Sequence, residues 1–357
     1  MGLPELSIEF KTKAETAVSR SENGIVSIIL ADDTAVENVK QSYSYALEAD
    51  ITRSHWSETN LDYLNKVFLG SPRRVLVERI ASADTYDDAL ARLKNKEWDW
   101  LAIPGLEAKS DEFTKILNWV VAQRAAKKGF KAVLPYVGSN VANNEGVVSF
   151  ATDDIEVGSK TYTTYEYCAR IAGLLAGLPF TQSATYQVLP EITSITESTT
   201  PDEDIDSGKL ILINDGEKIK IARGINSLTT LSGDKTEDFK KIKIVEAMDL
   251  MRDDIRTTFE NNYIGINNSY DNKMMFVAAV NQYFSQLVTE GVLYDEGENY
   301  ADIDVDAQRA WLAEKYDISE YTDDQIRKAK TGSYLFVMAN VFFSDAIEDL
   351  KFNIFME

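Results

Sequence analysis

The sequence is poor in the residues that build most reactive centres, with one cysteine and one histidine among 357 residues. A single thiol excludes an intramolecular disulfide and a thiolate metal cluster. We expect Cys168 to be a buried small apolar residue, because a nucleophilic cysteine needs a base beside it. His55 stands alone in an Arg-Ser-His-Trp stretch. Without a paired motif, it is expected to be a surface or partly packed residue.

Long apolar runs and basic residues are also scarce. No run approaches the roughly 18 residues that a membrane-spanning helix requires, and residues 1–5 carry no signal-peptide pattern. Lysines and arginines number 37 against 58 acidic residues, which gives a net charge of −21. Such a charge repels phosphate backbones, so nucleic-acid binding is not expected. We therefore predict a protein made in a cytoplasm that neither inserts into membranes nor binds nucleic acid.

The motifs that bind cofactors and metals are missing as well. The sequence has no phosphate-binding glycine loop, no dinucleotide fingerprint and no serine nucleophile elbow. Asp302, Asp304 and Asp306 alternate like the start of a calcium loop, but Ala307 occupies the place of the required glycine and Ala313 that of the bidentate glutamate. We predict no catalytic residue, cofactor or metal. Two of the many carboxylates could still meet in the fold, which leaves an acidic hydrolase as an alternative.

What the sequence does contain is a regular alternation of strand and helix signals in its first half. Apolar runs at 24–30, 74–79, 98–104 and 131–135 alternate with helical patterns at 59–68, 85–94 and 111–126. This order predicts a parallel α/β sheet. A helix with small residues at 165–178 is expected to let another backbone approach closely. Segments 209–213 and 218–222, joined through Asp215-Gly216, predict a β-hairpin.

The second half is organised around residues 235–281. Lysine and isoleucine alternate over 241–244, which predicts a strand at 240–245. Met248, Met251, Ile255 and Phe259 then follow helical spacing, and a second helix is expected from Asp271. Further helices are predicted at 304–316 and 322–330, the latter with a capping box. Strands are predicted at 334–343 and 350–356.

The wording of several segments resembles the tail sheath proteins of contractile phage tails, in particular the short sheaths of phage-like bacteriocins and PBSX-like defective prophages of Gram-positive bacteria. These segments are 144–148 (NEGVV), 170–179 (RIAGLLAGLP), 221–229 (IARGINSLT), 248–256 (MDLMRDDIR), 268–273 (NSYDNK) and 345–349 (DAIED). The resemblance implies a mixed α/β and α+β fold. Its expected parts are an N-terminal arm at 1–23, an α/β region at 24–95, a central α/β domain at 96–232, and an assembly domain at 233–357 with a terminal strand arm at 333–357.

The resemblance also implies a structural, non-enzymatic function. The expected role is a subunit that stacks in hexameric rings around a tail tube and contracts to drive that tube through a target envelope. Partners would be other copies of the chain, the tube protein, and baseplate and tail terminator proteins, all within a virion or phage-tail-like particle. A non-contractile virion assembly protein is the remaining alternative.

Both ends of the chain have the alternating pattern of strands that could pair with a neighbouring subunit. The residues expected to form these arms are Leu6, Ile8, Phe10, Leu350, Phe352, Ile354 and Met356. The residues expected in the receiving domain are Ile242, Ile244, Met251, Ile255 and Phe259.

Overall fold

The computed structural model describes Val18 and residues 23–37, 39–106, 110–136, 138 and 142–356. The chain forms two units, which we call the sheet unit (Glu22–Met251 with Asp345–Glu357) and the helical unit (within Arg252–Ser344). The strands are β1 (Ile25–Ala31), β2 (Ser42–Tyr45), β3 (Arg74–Ile80), β4 (Trp100–Ala102), β5 (Lys131–Pro135), β6 (Val147–Phe150), β7 (Asp153–Val157), β8 (Lys160–Tyr162), β9 (Ser194–Thr196), β10 (Lys209–Leu210), β11 (Leu212–Asn214), β12 (Ile219–Ile221), β13 (Tyr300–Ile303) and β14 (Val337–Asn340). The α-helices are α1 (Glu58–Phe68), α2 (Asp87–Leu93), α3 (Ser110–Ala125), α4 (Thr164–Gly177), α5 (Pro201–Asp206), α6 (Ile242–Asn262), α7 (Tyr270–Thr289), α8 (Val305–Ala313) and α9 (Asp323–Lys328).

The sheet unit is built on a seven-stranded sheet with the order β10-β6-β5-β4-β1-β3-β2. All neighbours pair in parallel except β2, which runs antiparallel to β3. The interior strand β1 is buried on both faces, as expected for a parallel strand covered by helices. The predicted α/β class is confirmed. β1 and β4 pair directly across the expected division between residues 95 and 96, so one sheet includes strands from both regions.

Helices cover both faces of this sheet. Apolar residues of α1 and α4 share one core with Val26 and Ile28 of β1, whereas α2 and α3 pack with Ile25 and Ile29 on the opposite face. The small residues of α4 allow the predicted close approach: a Cβ added at Gly173 would lie 2.1 Å from the Val67 carbonyl oxygen of α1.

The predicted hairpin forms, but it is shorter than expected. β11 pairs with β12 in antiparallel register, and Asp215 accepts hydrogen bonds from the backbone nitrogens of Glu217 and Lys218 in the turn. Residues 209–210 leave the hairpin and form the edge strand β10 of the large sheet instead.

The strand predicted at 240–245 is wrong. Helix α6 begins at Ile242 and continues to Asn262. Ile242, Ile244 and Val245 are all buried, because this turn is packed on more than one side. A turn that is buried on several sides shows no 3.6-residue period. The alternation of Ile242 and Ile244 with Lys241 and Lys243 therefore mimics a strand. The unit boundary at Met251 falls within this helix.

The helical unit contains the second half of α6, α7, α8, α9 and a two-stranded sheet of β13 and β14. Ser269 caps α7 by accepting from the Asn272 backbone nitrogen at 3.2 Å. The predicted capping box at the start of α9 is present, formed by Thr322 and Gln325. In the part of the chain that the structure describes, no helix is long and apolar enough to cross a membrane.

Candidate inter-subunit surfaces

The last residues of the chain leave a row of large apolar side chains in solvent. Segment 350–356 has no regular secondary structure in the single chain, so the strand predicted there does not form. Leu350, Phe352, Ile354 and Met356 are 85%, 75%, 73% and 93% exposed. Isolated exposed apolar residues are common, but a contiguous run of this size marks an interaction site.

The other predicted arm, with Leu6, Ile8 and Phe10, lies outside the described residues. The residues expected in the receiving domain are all found in α6. Ile242, Ile244 and Met251 are buried within the sheet unit. Phe259 packs in the helical unit, where its ring centroid lies 5.3 Å from that of Phe276. These side chains therefore support the cores of the two units and present no strand edge.

A strand edge does exist elsewhere in the helical unit, in the sheet of β13 and β14. Ala301 and Ile303 of β13 are buried, and Tyr300 and Met338 on the other face are exposed. Asn281 of α7 lies against β13: its amide nitrogen donates to the Ala301 carbonyl at 2.9 Å, and its side-chain oxygen accepts from the Ala301 nitrogen at 2.7 Å. Asn281 thus occupies the outer edge of β13 in the manner of a neighbouring strand.

The register then determines which groups of β14 point outward. Ala301 faces Ala339 across the two strands. Because both backbone groups of Ala301 bond to Asn281, this is a non-hydrogen-bonded pair, and the N–H and C=O of Ala339 must point away from β13. Within the described chain, β14 pairs with no other strand. Its outer edge is an open template for pairing.

Acidic residues hold the start of the C-terminal segment to the sheet unit. Glu348 accepts hydrogen bonds from the hydroxyls of Ser183 at 2.7 Å and Thr185 at 2.6 Å. Arg223 pairs with Glu348 at 3.2 Å and with Asp349 at 2.6 Å. A further ion pair joins Lys241 to Asp345. The chain is therefore attached up to Asp349, and its exposed apolar run begins at the next residue.

Cys168, Asp302 and Asp304 have structural roles. Cys168 is buried, and burial raises the pKa of its thiol. Asp304 caps α8 by accepting from the Ala307 nitrogen at 2.8 Å, and Asp302 forms an ion pair with Arg327. In the described residues, no cluster of His, Cys, Asp and Glu has the arrangement of a metal site.

A cleft of about 410 Å³ lies at the carboxyl ends of β1 and β3, the edge where α/β enzymes place their sites. Two of its charged groups, Asp32 and Arg79, are held by hydrogen bonds within the fold. Arg79 donates to the carbonyls of His55 and Thr34 at 2.7 and 2.6 Å. Burial raises the pKa of Asp32, but hydrogen bonds from Asn60 and backbone nitrogens outweigh it and hold that pKa well below the usual range. A carboxylate that stays ionised and fully bonded is a poor general acid or base.

Two features were missed at the level of sequence. Asn281 gave no signal, because an asparagine within a helix is ordinary. The acidic stretch 345–349 was noted as part of the resemblance, but its attachment to Arg223 links residues 125 positions apart and could not be read from spacing.

Comparison with known proteins agrees with the fold. Residues 80–227 match the phage tail sheath protein central domain and residues 234–357 the phage tail sheath C-terminal domain. The tail sheath protein of Clostridium phage phiCD119 is 34% identical over 99% of both chains. The phage-like element PBSX protein XkdK of Bacillus subtilis is 25% identical over 48% of this chain and 37% of its own length.

Two solved structures share the fold. The helical sheath of the anti-feeding prophage in its contracted state has a TM-score of 0.73 at 13% identity, with 100% of both chains covered. The sheath tail protein of Desulfitobacterium hafniense has a TM-score of 0.70 at 15% identity, covering 84% of this chain and 94% of that one. The chain therefore belongs to the phage tail sheath family and is a structural component of a phage tail or phage-tail-like particle, not an enzyme.

Proposed function

We propose that this chain polymerises as stacked hexameric rings around a tail tube and contracts to drive the tube through a target cell envelope. Its further partners would be the tube protein at the inner wall and baseplate and terminator proteins at the ends. The observation that carries the proposal is the exposed apolar run at 350–356 in a chain of the sheath family. In a subunit that acted alone, these apolar side chains would stay exposed to solvent.

We further propose that segment 350–356 of one copy adds a strand to β14 of another copy. In an extended strand Leu350, Phe352, Ile354 and Met356 share one face. The outward N–H and C=O of Ala339 offer backbone partners, and this arrangement is β-augmentation. Residues 1–23, with Leu6, Ile8 and Phe10, would supply a second arm.

A rough balance explains why such contacts form only in an assembly. Burying four large apolar side chains gains on the order of 6–12 kcal/mol. Ordering about seven residues costs roughly 7–14 kcal/mol. One arm therefore nearly breaks even, and several arms must engage together, as they would on a tube that acts as a template.

The first test removes residues 350–357. We expect a folded protein that no longer forms cylinders when co-expressed with its tube protein, as seen by negative-stain electron microscopy. A matched pair separates apolar burial from chain length: F352S/I354S alters the face expected to be buried, and K351S/N353S alters the opposite face. Normal cylinders from the truncated chain or from F352S/I354S would refute the proposed pairing of segment 350–356 with another copy.

The second test addresses the receiving edge. Ala339→Pro removes the outward N–H while leaving the bonds between β13 and β14 intact, because proline is tolerated on a free edge. Met338→Pro removes an inward donor and serves as the contrasting variant. We expect A339P to keep the thermal stability of the wild type but to lose assembly. Cylinders from A339P at the wild-type protein concentration would place the arm elsewhere.

A further inference from the structure

The acidic segment 345–349 is held by polar contacts and by almost no apolar burial. The Glu348 side chain is 13% exposed, whereas Asp349 is 75% exposed. Ile347, between them and Asp345, is 99% exposed. The apolar side chain of Ile347 thus points to solvent, and the Glu348 carboxylate faces the protein. Attachment of this segment must come from its charges and hydrogen bonds.

The groups that receive these carboxylates come from separate parts of the sheet unit. Ser183 and Thr185 precede β12 by more than thirty residues, Arg223 follows β12, and Lys241 lies directly before α6. Thr185 is itself fixed, because its hydroxyl accepts from the Gly224 nitrogen at 2.8 Å. Two hydroxyl donors and a guanidinium converge on the one carboxylate of Glu348, and charge-assisted bonds of this kind are strong and directional.

We propose that Ser183, Thr185, Arg223 and Lys241 form a socket that anchors the acidic segment 345–349 and thereby positions the C-terminal arm for assembly. This inference rests on the proposed arm exchange. While segment 345–349 is bound to the socket, the free arm consists of residues 350–356, which span at most about 25 Å when extended. When segment 345–349 is released from the socket, the free chain begins at Asp345 and reaches roughly 40 Å.

The anchor has a direct consequence for assembly. A short tether starting from a fixed point searches less space than a long one, so less entropy is lost when the arm docks. The socket residues act as positioning residues, because they need not touch the neighbouring copy. We expect disruption of the socket to weaken polymerisation without unfolding the subunit.

The test uses spin labels on single introduced cysteines in the full chain. Native Cys168 is buried and will not compete for the label. A label at Ile347→Cys reports on the anchored segment, and one at Phe355→Cys reports on the free arm. In the wild-type background we expect the label at 347 to be several-fold less mobile. In R223E/K241E it should become as mobile as the label at 355.

Three controls define the result. K218E/K220E makes the same charge change on the neighbouring hairpin and should leave the mobility of the label at 347 as low as in the wild-type background. K241E/D345K exchanges the partners of one ion pair and should restore slow motion relative to K241E alone. Circular dichroism shows whether each variant is folded. An unchanged label at 347 in a folded R223E/K241E protein overturns the anchor.

The same variants address assembly with the tube protein. For R223E/K241E we expect at least a tenfold increase in the protein concentration needed for cylinders, with K218E/K220E near the wild type. Equal concentrations for both double variants would refute the positioning role. Failure of the wild-type chain to form cylinders with its tube, despite a slow label at 347, would instead refute the proposed function and leave the anchor standing.

Discussion

Glu246, on the first turns of α6, has an unusual environment for a carboxylate. Its carboxylate lies 3.3 Å from the ammonium of buried Lys131, which is also 3.4 Å from Asp249. Arg124 pairs with Asp249 at 2.7 Å. Burial is the main cause that raises the pKa of Glu246 to about 7, although Lys131 opposes it. Two carboxylates compete for one lysine, and Glu246 is the one that protonates.

This predicts a pH-dependent effect of Glu246→Gln. A carboxyl whose pKa rises on folding favours the folded state when protonated, so its ionisation destabilises the protein as pH increases from about 4.5 to 7. Glutamine stays neutral. The variant should therefore gain about 1–3 kcal/mol over the wild type between pH 5 and pH 8. Urea unfolding at both pH values measures this, with the exposed Glu260→Gln as control. A difference that does not change with pH would contradict it.

At the scale of elements, the contact between α1 and α4 depends on glycine. Added Cβ atoms at Gly173 and Gly177 would lie 2.1 and 1.8 Å from the carbonyl oxygens of Val67 and Gly70. These neighbours are backbone atoms and cannot turn aside, so the two helices must separate to accept a methyl group. The cost of overpacking exceeds the gain in helix propensity, which is about 1 kcal/mol.

Gly173→Ala should accordingly destabilise the sheet unit by about 2–4 kcal/mol despite favouring an isolated helix. Gly105→Ala is the matched control, because nothing lies within 4 Å of its added Cβ. Thermal unfolding of the two variants measures the difference. If Gly173→Ala unfolds at the same temperature as the wild type, α1 and α4 have room for a methyl group between them.

At the scale of the whole molecule, the dominant quantity is the net charge of −21. Copies of the chain repel each other in solution, and the apolar arm must overcome this repulsion. Salt screens the repulsion, with a Debye length of about 10 Å at 0.1 M, and leaves apolar burial nearly unchanged. Repulsion of this kind keeps subunits apart until a template holds them together.

We therefore expect assembly to improve with salt. Raising sodium chloride from about 50 to 300 mM should lower the protein concentration needed for cylinders roughly three- to tenfold. Light scattering with electron microscopy measures this, with a potassium glutamate series as a check on anion effects. An increase in the required concentration would mean that ion pairs between copies dominate.

The sequence by itself determined the features that depend on neighbouring residues. The buried strands of the parallel sheet, the capping box of α9, the hairpin turn at Asp215-Gly216 and the alternating apolar run at 350–356 could all be predicted from local pattern. The single cysteine already excluded an intramolecular disulfide and a thiolate metal cluster. Segment wording also indicated the sheath family.

Only the tertiary structure decided the features that depend on distant partners. The turn at 242–245 begins a helix, and its burial on several sides hides the 3.6-residue period. Asn281 occupies the edge of β13 across 20 residues, and Arg223 meets Glu348 across 125. Burial on both sides and pairing across the chain leave no trace in local spacing, since each depends on where the fold brings residues together.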